Sequence, residues 1–84
     1  MRGRHSATLE AIFSDPVSGS IKWRDIEAMF VALGADVIER RGSRVLVVLG
    51  DNRAVFHRPH PSPDTDKGAV KAVRRFLMEA GIKP

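Results

Sequence analysis

The stretch Arg44-Val45-Leu46-Val47-Val48-Leu49, bounded by Gly42 and Gly50, constrains this chain more than any other. Every position after Arg44 is apolar and most are β-branched, which marks a short strand. A sheet with one solvated face would alternate apolar and polar residues. Continuous apolarity instead predicts a middle strand with both faces at least partly covered. Its neighbours follow from the turn residues. Asp36-Val37-Ile38-Glu39-Arg40 reads as a strand closed by Arg41-Gly42-Ser43, and Gly50-Asp51-Asn52 as a hairpin turn. Arg53-Ala54-Val55-Phe56-His57 then completes a three-stranded antiparallel meander.

Helical spacing flanks the meander on both sides. Leu9, Ile12 and Phe13 make an apolar stripe over His5 to Ser14, with Ser6 as a candidate cap, and Asp15-Pro16 with Ser18-Gly19-Ser20 ends it in a loop. Ile26, Met29, Phe30 and Leu33 repeat over Lys22 to Leu33, with Trp23 a turn earlier and Gly34 as the left-handed stop. Arg58-Pro59-His60-Pro61-Ser62-Pro63 is irregular, because its prolines remove donors and restrict their neighbours. Asp64, Thr65 and Asp66 offer caps for a last helix over Lys67 to Ala80, its inner face Val70, Val73, Leu77 and Ala80 with Phe76 beside them. Gly81 ends that helix. The order helix, helix, three strands, helix predicts a small α+β fold with helices packed on the sheet.

At 84 residues the chain has room for one modest core and one domain. It has no cysteine, which removes disulfide scaffolds and thiolate zinc sites. No apolar run approaches the roughly 20 residues of a membrane span, and the basic start from Met1 to Ser6 leads to Glu10 and Asp15, with no signal-peptide core. The expected location is the cytoplasm.

The net charge of +4 is unevenly spread. From Arg40 to Arg75 there are nine basic residues against three acidic, a net of +6; the remainder carries −2. The candidates for contact with a polyanion are Arg40, Arg41 and Arg44 around one turn, Arg58, and Lys67, Lys71, Arg74 and Arg75 on the last helix. Taken singly, each also fits an ordinary solvated face.

Two histidines carry the most chemistry. Histidine can pass a proton between a ribose hydroxyl and a leaving oxygen without a metal. His57 falls at the end of the third strand, and His60 in the proline-stiffened loop beyond it. The plain alternatives are a strand-end ring packed on the sheet and a loop residue bonded to backbone. His5, near the terminus, is a weaker candidate. No spacing matches a metalloprotease or a phosphate loop, and neither cofactor nor metal is expected. Asp64 and Asp66 fit capping, and Ser43 fits a turn.

The string Arg41-Gly42-Ser43-Arg44-Val45-Leu46 and its strand, then Pro59-His60-Pro61, then the helix ending Phe76-Leu77-Met78-Glu79-Ala80-Gly81-Ile82 resemble the HicA toxins of bacterial type II toxin–antitoxin systems. Trp23 to Ala35, with its Leu33-Gly34 pair, looks like that family's first helix. The resemblance runs from Ile21 to Ile82, leaving residues 1–20 as an added N-terminal helix and loop. It implies a fold like the double-stranded-RNA-binding domain, cleavage of messenger RNA, and neutralisation by a HicB antitoxin. Ser43, inside the matching string, joins the basic residues of the turn as a candidate for RNA contact. The chain departs from the family at one position: the usual Gly-Ser-His motif ends here in Arg44. Arginine stays protonated and cannot act as a general base, though it can hold phosphate or offset developing charge. His60 matches a second family histidine. Either catalysis rests on His57 or His60 with Arg44 assisting, or the chain is a module that binds RNA or antitoxin without cutting. A basic face for an acidic protein is a third reading.

Overall fold

The computed structural model describes residues 3–84; Met1 and Arg2, part of the basic start, lie outside the described residues. The chain opens with α1 (Arg4–Phe13), followed by a short strand β1 (Ile21–Lys22) that leads directly into α2 (Trp23–Ala32). The meander is β2 (Asp36–Glu39), β3 (Arg44–Leu49) and β4 (Asn52–His57), and a second short strand, β5 (Asp64–Thr65), precedes α3 (Lys67–Glu79). The expected α+β order is therefore present: three helices and a three-stranded antiparallel sheet of order β2-β3-β4.

The turns explain the register. Leu49 pairs with Asn52, so Gly50 and Asp51 form a two-residue hairpin loop, with Gly50 in the left-handed region at φ 62°. At the other end of β3, Gly42 and Ser43 both take positive φ, 66° and 64°. Ser43 is the one non-glycine residue there among the described residues, and its carbonyl accepts the Arg58 N–H at 2.8 Å. That bond ties the turn to the end of β4.

α2 and α3 cover one face of the sheet, and α1 packs on those two helices. Ile12, Ile26, Met29, Phe30, Val45, Val47, Val70, Val73 and Leu77 are fully buried between them. At the centre Phe30 lies 5.9 Å from Phe56, and Phe76 meets both edge-on at 5.7 and 5.8 Å. Offset and edge-on rings of this kind add about 0.5–1.5 kcal/mol per pair beyond their buried area. α1 contributes Leu9 and Ile12 to the same core.

Four details differ from the sequence reading. Ser6 is no cap: α1 starts after Gly3, without a side-chain cap bond, and Ser6 lies inside its first turn. Of the three cap candidates before α3, Asp66 alone acts, accepting the Ala69 N–H at 3.2 Å. Asp64 and Thr65 instead pair with Lys22 and Ile21 as β5 against β1. The second face of β3 is covered by no helix. Leu46 is buried there by its cross-strand neighbours Ile38 and Val55, which are themselves 44% and 50% exposed.

Candidate functional site

Alternation along the strands sorts the candidate residues. Phe56 points into the core, so His57 points to the open face and Arg58 turns back inward. Arg44 is the cross-strand partner of His57, and both are exposed. A guanidinium and an imidazole thus rise side by side from one end of the open face. The Arg44 Nε–H donates to the Arg41 carbonyl at 2.9 Å, which orients the side chain while leaving its terminal nitrogens without protein partners among the described residues. Arg40, Arg41 and Ser43 are exposed around the same turn. Beyond Arg44 and His57 the open face carries the aliphatic row Ile38-Leu46-Val55, and then Asp36, Val48 and Arg53. Apart from the His57 imidazole, the described residues of this face include no aromatic ring.

Arg58 is used differently. Its Nε and Nη2 donate to the two carboxylate oxygens of Glu27 at 2.7 and 3.0 Å, and its Nη1 donates to Glu39. The Trp23 indole N–H also donates to Glu27. Burial alone would push the Glu27 carboxyl up, but the bonds from Arg58 and Trp23 and the Arg58 charge outweigh it and hold the group below its ordinary range. Hydrogen bonds to Glu27 and Glu39 raise the Arg58 guanidinium above its already high value. Glu27 and Glu39 were not singled out by sequence reasoning. The available signal is the phase of Arg58, which alternation from Phe56 turns toward the helix side, where a partly buried guanidinium calls for a carboxylate partner.

His60 is exposed in the loop that follows. The far end of that loop is fastened by the Trp23 backbone N–H, which donates to the Pro63 carbonyl at 3.0 Å, and by the Lys22–Asp64 ion pair at 2.6 Å. His5 lies half-buried on α1, remote in sequence from this loop.

The last helix splits its charges. Lys67, Lys71 and Arg75 are exposed at intervals of four residues and form one stripe on the solvent side of the helix layer. A shallow, open depression of about 460 Å³ lies there, lined by Lys71, Arg74, Arg75, Met78 and Glu79. Arg74 turns toward α1, where its Nε and Nη2 donate to the carbonyls of Ile12 and Ser14 at 2.9 and 2.8 Å, satisfying the end of that helix. The basic segment therefore resolves into a cluster at the turn and a stripe on α3, with Arg53 apart at the far end of the open face and Arg58 and Arg74 engaged internally. Among the described residues no three metal-ligating side chains converge, and no helix is long and apolar enough to cross a membrane.

The family model described as the HicA toxin of bacterial toxin–antitoxin systems matches residues 23–82. No curated protein and no solved structure matches the chain. The matched span begins at α2 and includes the turn, the open sheet face, the His60 loop and α3, and it leaves α1 outside.

Proposed function

Since the chain belongs to the HicA toxin family of bacterial toxin–antitoxin systems, we propose that it binds and cleaves messenger RNA in the cytoplasm and is neutralised by a HicB-type antitoxin. The whole chain acts as one domain, with residues 21–82 as the part that meets RNA. The observation that carries this reading is the cross-strand pairing of Arg44 with His57 on an exposed face. Arg44 cannot remove a proton, but its free terminal nitrogens can hold a phosphate and offset the charge that develops on it. His57 and His60 are the proton carriers. In the reaction the ribose 2′-oxygen attacks the adjacent phosphorus and the bond to the 5′-oxygen breaks. The 2′-hydroxyl proton passes to one histidine, and the departing 5′-oxygen takes a proton from the other, which enters the reaction as an imidazolium. The products are a 2′,3′-cyclic phosphate and a 5′-hydroxyl. Such chemistry needs no metal, in keeping with the histidine set.

Arg40, Arg41 and Ser43 supply further backbone contacts at the turn, and Lys67, Lys71 and Arg75 extend the electrostatic field along α3. The antitoxin is expected to cover the open face, because the aliphatic row Ile38-Leu46-Val55 offers apolar area beside the catalytic candidates. A second reading is favoured by Arg44 itself, since a base is lacking where the family has histidine: the chain binds RNA or antitoxin and does not cut.

Induced expression of the wild type and of His57→Ala, His60→Ala and Arg44→Ala separates the two. Under the ribonuclease reading the wild type arrests growth and fragments transcripts, and loss of one histidine lowers cleavage about 10²–10⁴-fold with the protein still folded. Intact transcripts with normal growth in the wild type would leave the binding module.

A further inference from the structure

Arg58 stands beside His57 in sequence and carries the same charge as its RNA-facing neighbours, yet its surroundings are those of a clamp. Its fork spans both oxygens of Glu27 and reaches Glu39 as well. The three side chains together carry one net negative charge, which repels phosphate. The Arg58 backbone N–H is also committed, to the Ser43 carbonyl at 2.8 Å. At the other end of the loop, Trp23 holds Pro63 through its backbone and Glu27 through its indole. Trp23 and Glu27 are one turn apart on α2, so both ends of the span 58–63 are fastened to the same turn of the same helix. Three prolines within that span leave it little freedom between its anchors.

We propose that Arg58, held by Glu27, is the positioning residue of this site: it fixes the end of β4 and the Pro59–Pro63 loop, and with them His57 and His60, and makes no phosphate contact. The benefit to cleavage rests on the ribonuclease reading above; the anchoring itself does not. Misplacement of a reacting group by about 1 Å can cost on the order of 10²-fold in rate.

The test uses the full chain and a labelled single-stranded RNA of mixed sequence, with Arg58→Gln, Arg58→Lys and Glu27→Gln. Hydrogen exchange is expected to quicken about fivefold or more at the amides of Arg58 and Trp23, while the amide of Val47 in mid-β3 keeps its rate. In Arg58→Gln and Glu27→Gln kcat falls about 10–100-fold with KM changed less than about twofold, and Arg58→Lys recovers part of the loss by keeping one ion pair. The slope of log affinity against log salt stays at the wild-type value in Arg58→Gln but shrinks by about 0.7 in Arg44→Ala. A slope loss of that size in Arg58→Gln would make Arg58 a phosphate contact and overturn the proposal. Uniform quickening of every core amide would also overturn it, reducing the clamp to general stability. Should the wild type neither bind nor cut RNA, the ribonuclease reading falls, and the exchange measurement alone decides whether Arg58 fixes the loop.

Discussion

At the scale of single residues, the Glu27–Arg58 pair shows how a partly buried charge reports on pH. The Glu27 carboxyl is 20% exposed and held below its ordinary range, so the folded state binds its proton more weakly than the unfolded chain does. Its stabilising contribution is therefore complete above the unfolded value of about 4.3 and is lost as pH falls through the folded value. A charged hydrogen-bonded pair of this exposure is worth about 1–2 kcal/mol. Glu27→Gln should lower the melting temperature at pH 7 by several degrees, and the gap to wild type should close toward pH 3. A constant gap across that range, measured by thermal unfolding, would mean that charge is not what the pair contributes.

At the scale of elements, α3 gives the clearest case of a local rule at work. Asp66 precedes an amphipathic run, lies outside the helix in extended conformation, and caps the Ala69 N–H. Asp66→Ala should cost about 1 kcal/mol, or about 4–8 °C in melting temperature for a domain of this size. Asp66→Asn should retain most of that stability. The same neighbourhood marks the limit of local reading. Asp64 and Thr65 have the composition of caps, but they form a strand because Ile21 and Lys22 lie opposite them. A two-residue strand has no periodicity to read, and its partner is some forty positions away. Arg58 follows the same logic. Strand alternation from Phe56 makes it inward, but its carboxylate partners lie 31 and 19 positions distant and on different elements. The helices, the meander and the turn at Arg41-Gly42-Ser43 were legible because each is set by neighbours in sequence; the pairing of Arg44 with His57 emerges only from the register of β3 against β4. The clamp was not legible, because tertiary packing sets it.

At the scale of the whole molecule, the three helices leave one sheet face without cover, and this revises what the apolar run in β3 signifies. Val45 and Val47 are buried by the helices, whereas Leu46 is buried by Ile38 and Val55 within the sheet. The row therefore serves folding at its centre and leaves apolar area exposed at both sides, beside Arg44 and His57. Under the proposed function, a partner that buries this row also covers Arg44 and His57, which lie beside it. Val55→Glu tests this at modest cost to the fold, since the side chain is half exposed and surface changes away from special features stay within about 0.5 kcal/mol. The variant should fold and still arrest growth on its own, with weaker RNA binding than the wild type, because the new carboxylate stands two residues from His57 on the same face. Its neutralisation should fail, because an unpaired carboxylate buried in the interface costs several kcal/mol. On co-expression with the antitoxin, growth should be restored for the wild type and not for Val55→Glu. Equal rescue of both would remove the open face from the antitoxin interface.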